Sequence, residues 1–181
     1  MIKEIRIHGR GGQGVVTAAE LLANAAYEDG KFVQAFPSFG SERMGSPLQA
    51  FVRISDRGIR TRSQVYEPDY VMVQDPTLIG VTDVLKGLKE DGLAIINIEK
   101  RPEELNLKTK AKIITIPALK IALEATGRPI VNTTLIGAFA GATKEISLDS
   151  VIKSIKSRFP EEIAKKNIIA VERAYNITAN P

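Results

Sequence analysis

Four glycines lie within six positions near the start of the chain, in the run HGRGGQG of residues 8–14. Gly9, Gly11 and Gly14 have the G-x-G-x-x-G spacing, with a short apolar run before them and a helical pattern after them. A loop of this kind offers unpaired backbone N–H groups and the positive end of a helix to an anion. The spacing therefore predicts a phosphate-binding loop. The alternative is a loop whose glycines let a helix, a strand or another chain pack closely.

Two common classes of phosphate loop fit this sequence poorly. A nicotinamide-binding unit carries an acidic residue about 20 positions further on, where it holds the ribose hydroxyls. No Asp or Glu occurs between Gly30 and Ser41, so the ribose-binding part of that signature is absent. The loop also lacks the GK[ST] ending of an ATP-hydrolysing phosphate loop.

The other side chains with catalytic potential lack the partners that catalysis needs. His8, the single histidine, has no paired carboxylate nearby in the sequence and is interpreted as structural. Ser38, Ser41 and Ser46 have no G-x-S-x-G context. The chain has no cysteine, which excludes disulfides, thiolate zinc sites and cysteine-ligated iron–sulfur clusters. We therefore predict no catalytic residue and no metal site.

Composition places the chain among globular domains. Its 181 residues, 44% of them hydrophobic, predict one domain spanning 1–181. A net charge of +4 without long basic runs argues against a nucleic-acid partner. No apolar stretch has the length of a membrane span, and the N-terminal residues lack a secretory pattern, so a cytoplasmic protein is expected.

The order of elements predicts an α/β fold. We expect a single Rossmann-like domain with a mostly parallel sheet, a β-hairpin addition and helices on both faces. A strand, the glycine loop, a helix and a second strand in the first 36 residues predict a parallel pair with a right-handed crossover. The predicted strands are 2–7, 31–36, 48–55, 59–65, 70–74, 93–98 and 112–116, with the hairpin formed by 48–55 and 59–65.

The predicted helices span 15–29, 76 towards 89, 132–143, and two segments that follow Ser147 and Phe159. Asp75 and Asn132 are the expected N-caps of the second and third helices. Gly137 and Gly141 lie four positions apart, which leaves a stripe of small residues for close helix packing. Residues 37–47 are expected to form a substantial loop.

Four segments resemble one known family over nearly the whole chain and in the same order. They are HGRGGQG, VQAFPSFGSERMGSPLQAFVRIS, PDYVMVQD and PIVNTTLIGAFA. The chain resembles the gamma subunit of the 2-oxoacid:ferredoxin oxidoreductases, especially the pyruvate and ketoisovalerate group. Gln13 and the FPSFG-ER segment are the most specific elements of this likeness.

The resemblance implies a multi-subunit enzyme that oxidatively decarboxylates a 2-oxo acid with coenzyme A and passes electrons to ferredoxin. Thiamine diphosphate and the iron–sulfur clusters are then held by partner subunits, in agreement with the absence of cysteine. Coenzyme A carries a diphosphate and a 3′-phosphate, so it needs an anion-binding loop and arginines but no ribose-binding acid. An isolated chain is expected to form a homodimer through surfaces meant for partners.

On this basis we expect six residues to contact coenzyme A, and Arg60 and Arg62 are two weaker candidates. The six are Gly11, Gly12, Gln13, Gly14, Ser41 and Arg43. Glu42 and Arg43 could instead form an anchoring ion pair or an intersubunit contact. Three alternatives stay open: a 2-oxoglutarate-type gamma subunit, a free-standing dinucleotide-binding oxidoreductase domain, and a purely structural role for the glycines.

Overall fold

The computed structural model describes residues 1–38 and 43–180, and these residues form six strands and five α-helices. The strands are β1 (Ile2–Arg10), β2 (Phe32–Pro37), β3 (Pro47–Ser55), β4 (Tyr70–Val73), β5 (Leu93–Asn97) and β6 (Lys112–Ile116). The helices are α1 (Val15–Glu28), α2 (Ala118–Thr126), α3 (Asn132–Thr143), α4 (Leu148–Arg158) and α5 (Glu161–Ala179). No helix in the described part of the chain is both long enough and apolar enough to cross a bilayer.

The six strands form one sheet in the order β2-β3-β1-β4-β5-β6, so the predicted mostly parallel α/β sheet is confirmed. β1, β4, β5 and β6 pair in parallel, whereas β3 pairs antiparallel with both β1 and β2. β1 and β2 therefore run in the same direction, but they are not the adjacent pair that the sequence predicted. β3 lies between them because Ala50–Ser55 are buried throughout, and such a segment needs a neighbour on each side.

The two faces of the sheet have different helical cover. All five α-helices contribute side chains to the cluster on one face, around Ile5, Ile7, Val52 and Ile95. The smaller cluster on the opposite face is covered by turns and by two short 3-10 helices, Pro76–Leu78 and Pro102–Leu105. The prediction of a helix from Pro76 towards Lys89 is thus wrong, because the observed helix is a single 3-10 turn that ends at Leu78. Thr77, Ile79, Val81 and Thr82 are β-branched and Gly80 lies among them, which disfavours helix continuation.

The predicted strand 59–65 is also wrong, and with it the predicted hairpin of 48–55 and 59–65. The antiparallel pair at this edge of the sheet is formed by β2 and β3 instead. Residues 59–65 cross the sheet face without strand pairing. The Arg53 guanidinium, buried to 1% exposure, donates hydrogen bonds to the carbonyl oxygens of Ser63 and Gln64. The carbonyl groups that accept hydrogen bonds from a buried guanidinium are then not available for hydrogen bonds to a neighbouring β-strand.

Helix α3 packs closely on α5 along the predicted small-residue stripe. A Cβ atom added to Gly137 would lie 2.8 Å from Val171 Cα and would overlap the Val171 carbonyl. A Cβ added to Gly141 would overlap the Tyr175 carbonyl and the Thr178 hydroxyl. The stripe is therefore confirmed as a packing surface within the chain. Helix α2 was not predicted, and Asn132 is the first residue of α3 rather than its cap.

Candidate functional site

The glycine loop, residues 9–14, follows β1 and is fixed to the chain segment that leads into β3. The Gly11 amide donates to the Ser46 carbonyl at 2.9 Å, and the Gly45 amide donates to the Gly11 carbonyl at 3.1 Å. A Cβ atom on Gly11 would overlap the Arg43 carbonyl. Gly11 is therefore needed for the close approach of two backbones, and its amide is already paired.

Gln13 and Asp75 hold the loop against the end of β4. Gln13 Oε1 accepts from the Arg10 amide at 2.7 Å, and Gln13 Nε2 donates to Asp75 Oδ2 at 2.8 Å. Arg10 Nε donates to the same Asp75 oxygen at 3.1 Å. Thr77 donates to Asp75 Oδ1 from its amide and its hydroxyl. The Gln13 side chain is thus engaged in positioning the loop.

The electrostatic state of Asp75 follows from these donors. Burial raises the pKa of the Asp75 carboxyl, but the hydrogen bonds from Thr77 and Gln13 and the positive charge of Arg10 outweigh it. The pKa therefore lies below its usual range, and the carboxylate is charged at neutral pH.

The rest of the loop presents unpaired donors at the start of α1. Gly12 and Gly14 have positive φ values of 89° and 72°, a conformation that glycine adopts without a steric penalty. Within the described residues, the amides of Gly12, Gly14 and residues 15–17 donate to no protein acceptor. Unpaired amides at a helix N-terminus carry partial positive charge and favour an anion.

A cleft of about 360 Å³ opens beside these amides. The loop contributes Gly12, Gln13 and Gly14, and three basic side chains from distant parts of the chain complete it: Arg128, Arg158 and Lys166. The other lining residues are Thr17, Thr126, Ile130, Asn132, Phe159, Ile163 and Asn167. No Asp or Glu lines the cleft within the described ranges. The arrangement therefore suits an anionic ligand with an apolar portion.

An unsatisfied amide lies directly behind the loop. Gln74 follows β4 and is only 2% exposed, yet neither polar atom of its side chain has a hydrogen-bond partner in the described structure. A Cβ atom on Gly9 would lie 3.0 Å from Gln74 Oε1 and 3.3 Å from Gln13 Oε1. Buried polar groups without partners are rare in folded proteins, and a catalytic role or a bound water or ion is among the explanations for such a group.

Three of the other candidates from the sequence, Arg43, Arg60 and Arg62, do not line the cleft. Arg43 is exposed and touches the loop through its backbone, while Ser41 lies outside the described residues. Arg60 and Arg62 are exposed on the segment between β3 and β4 and do not line the cleft.

His8 lies in β1 and is 1% exposed, with its Nε2 atom accepting from Arg6 Nε at 2.9 Å. Burial and the neighbouring Arg6 charge lower the pKa of His8 to about 3, so the ring is neutral. This arrangement agrees with the structural interpretation of His8.

Sequence reasoning missed the three basic residues of the cleft. Arg128 lies in the turn between α2 and α3, Arg158 ends α4, and Lys166 lies on α5. Each is more than 100 residues from the glycine loop, and no local pattern distinguishes it from a solvated surface cation. Only the packing of α5 and α4 beside α1 and α3 brings them together.

Comparison with known proteins places the chain in a family. A family model described as "Pyruvate ferredoxin/flavodoxin oxidoreductase" matches residues 4–177. Pyruvate synthase subunit PorC of Methanosarcina barkeri is 60% identical, over 86% of each chain. The pyruvate/ketoisovalerate oxidoreductases common subunit gamma of Thermococcus litoralis is 52% identical, over 97% of this chain and 96% of the relative.

A solved structure agrees with these sequence relatives. The crystal structure of pyruvate oxidoreductase subunit PORC from Thermotoga maritima superposes with a TM-score of 0.85 at 40% identity. The match covers 97% of this chain and 96% of that one. The chain therefore belongs to the pyruvate ferredoxin/flavodoxin oxidoreductase family.

Proposed function

We propose that this chain is the gamma subunit of a pyruvate or branched-chain 2-oxo acid:ferredoxin oxidoreductase in the cytoplasm. It contributes coenzyme A contacts and intersubunit packing, and no catalytic side chain. The names of the relatives at 52% and 60% identity support the pyruvate or ketoisovalerate type over the 2-oxoglutarate type. The observation that carries the coenzyme A assignment is the cleft in which unpaired loop amides and three cations converge without a carboxylate.

The donors of the cleft fit the chemistry of coenzyme A. Its diphosphate and 3′-phosphate require N–H donors and cations, which the loop, Arg128, Arg158 and Lys166 provide. Its adenosine and pantetheine portions require apolar surface, and Ile130, Phe159 and Ile163 line the same cleft. When bound, coenzyme A supplies the thiol that accepts the acyl group.

The residues of the glycine loop have different roles in the proposed binding of coenzyme A. Gly12 and Gly14 offer amides to the ligand, whereas Gly11 and Gln13 hold the loop in the shape that presents them. Arg43, whose backbone carbonyl approaches Gly11, stays a proposed contact, and so does Ser41, which lies outside the described residues. Arg60 and Arg62 are not included, because they neither line the cleft nor lie among the atoms that approach the loop glycines.

The topology disfavours the free-standing dinucleotide-binding alternative. In a nicotinamide-binding unit, the ribose-holding acid ends the strand adjacent to β1. Here β3 occupies that place, and β2 lies about 10 Å from β1. Residues 32–37 contain no acidic side chain.

The remaining chemistry is assigned to partners. We propose that thiamine-binding and ferredoxin-like subunits hold the thiamine diphosphate and the iron–sulfur clusters, because this chain has no cysteine for such clusters. Electrons then pass to ferredoxin from those partner subunits and not from this chain. The isolated chain is expected to form a homodimer, since exposed apolar residues such as Leu119, Leu123 and Ile169 are available for contact.

The substitution Gly12→Ala in the assembled complex tests the coenzyme A assignment. The new Cβ would lie 2.7 Å from Met44 Cε, a flexible side chain that is 85% exposed and can move away. At φ 89° the alanine strains the loop by about 1–2 kcal/mol. We expect the KM for coenzyme A to rise about tenfold while the KM for the 2-oxo acid stays constant, because one distorted amide contact costs about 1.4 kcal/mol.

Gly30→Ala is the matched control. Gly30 has a similar φ of 76° and open space around it, and it lies at the far end of α1. The control has the same backbone penalty without a change in the cleft, so the KM for coenzyme A should stay constant. Weakened assembly of the Gly12→Ala complex with an unchanged KM for coenzyme A would instead support a purely structural role for the loop.

A further inference from the structure

The three basic residues of the cleft, Arg128, Arg158 and Lys166, form a group that the glycine loop alone does not explain. We call them the basic wall. They come from three separate elements, yet they line one cleft of about 360 Å³. Like charges that converge in this way repel one another unless an anion lies between them.

Most of the other cations on the same helices form ion pairs, with Lys156 on α4 as the exception among the described residues, whereas the basic wall forms none. Lys165 on α5 pairs with Glu161 and Glu162, and Arg173 pairs with Glu124. Lys153 on α4 pairs with Glu28. Within the described residues, no member of the basic wall forms an ion pair. Their charges are therefore available to a ligand.

The cleft thus has two sets of anion donors of different kinds. The first is the row of amides at Gly12, Gly14 and the start of α1, and the second is the basic wall. The apolar side chains of Ile130, Phe159 and Ile163 line the same space. A cleft of this volume is in the range for a small organic ligand. A ligand with one phosphate group would leave one donor set unused.

We propose that the basic wall binds a terminal phosphate monoester that is separate from the group held by the loop amides. This inference rests on the proposed function, under which the monoester is the 3′-phosphate of coenzyme A. Guanidinium groups bind phosphate oxygens in a bidentate manner, and an ammonium group adds a compact charge. The basic wall therefore makes this subunit the element that selects coenzyme A over 3′-dephospho-coenzyme A.

The test compares the two ligands on the assembled complex. Isothermal titration calorimetry without 2-oxo acid gives the Kd of each ligand, and steady-state rates give each KM. The variants are Arg128→Gln, Arg158→Gln and Lys166→Gln, with Arg158→Lys as the charge-retaining variant. Lys165→Gln is the matched control, because it removes a cation from the same helix outside the cleft.

The wild-type complex should bind coenzyme A at least about tenfold more tightly than the dephospho form, because the dephospho form lacks the phosphate oxygens that accept the charge-assisted hydrogen bonds of the basic wall. Each glutamine variant should raise the Kd for coenzyme A about tenfold and leave the Kd for dephospho-coenzyme A unchanged. Arg158→Lys should retain part of the preference. Lys165→Gln should change neither constant.

The contrary results separate the two proposals. Equal binding of both ligands by the wild type, or equal weakening of both by the glutamine variants, would overturn the inference. If Gly12→Ala raises both Kd values while the glutamine variants raise neither, the inference fails and the coenzyme A assignment of the loop stands. If no variant changes any Kd, both proposals fail.

Discussion

Asp75→Asn removes the charge that anchors the glycine loop, and its effect on stability can be derived from the contacts of Asp75. The carboxylate is 12% exposed and accepts from Gln13, Arg10 and Thr77. An asparagine keeps Oδ1 for the two Thr77 donors. In place of Oδ2 it presents an N–H group to the Gln13 and Arg10 donors, so both of those hydrogen bonds are lost.

The two lost hydrogen bonds contribute different amounts to the free energy of unfolding. The bond from Gln13 to the carboxylate contributes about 1.5–3 kcal/mol, as hydrogen bonds to charged groups do. The Arg10 pair contributes about 0–1 kcal/mol, because Arg10 is a quarter exposed and solvent screens the charge. The free energy of unfolding should fall by about 1.5–4 kcal/mol, the sum of these two ranges. For a chain of this size, that corresponds to a Tm about 3–16 °C lower.

Thermal unfolding followed by circular dichroism measures this difference as a function of pH. Because the pKa of Asp75 is lower in the folded chain, its contribution is complete above the pKa of an unfolded aspartate and is lost as the pH falls through the folded value. The Tm difference between wild type and Asp75→Asn should therefore be largest at neutral pH and shrink in acid. Asp56→Asn, at an exposed ion pair, should leave the Tm nearly unchanged. An unchanged Tm for Asp75→Asn at neutral pH, or a difference that does not depend on pH, would refute the reasoning.

Two further predictions concern the core. Gly137→Ala should lower the free energy of unfolding by about 2 kcal/mol in urea titrations, because overlap with the Val171 backbone outweighs the helix propensity gained. Gly58→Ala, in open space, should change it by less than about 0.5 kcal/mol. The imidazole NMR signals of His8 should not titrate until the pH approaches about 3. Since the unfolded chain takes up this proton at higher pH, acidification below the ordinary histidine pKa should destabilise the fold. A shift of these signals near the ordinary histidine pKa would contradict the buried placement.

Local sequence signals predicted the parts of the fold that depend on local physics. The glycine loop before α1 is an example, because strand, glycines and helix are contiguous. The helix predicted after Ser147 begins at Leu148, and Asp75 caps the first turn after β4 as expected. The spacing of Gly137 and Gly141 likewise predicted a close helix contact, although not that α5 is the partner.

Tertiary contacts decided the features that the sequence did not predict. The alternation in residues 59–65 is typical of a strand, but Arg53 takes up the carbonyls of Ser63 and Gln64. The insertion of β3 beside β1 depends on the burial of both its faces. The basic wall depends on α4, α5 and the turn before α3 meeting at one cleft. No local window of sequence contains that information.

Hydrogen–deuterium exchange on the assembled complex tests the central claim most directly, namely that the unpaired amides at the start of α1 receive coenzyme A. With saturating coenzyme A, the peptide that contains Gly12, Gly14 and residues 15–17 should exchange more slowly than without it. A peptide around Gly30, at the other end of α1, should show no change. Exchange at the loop that is the same with and without bound coenzyme A would contradict the account.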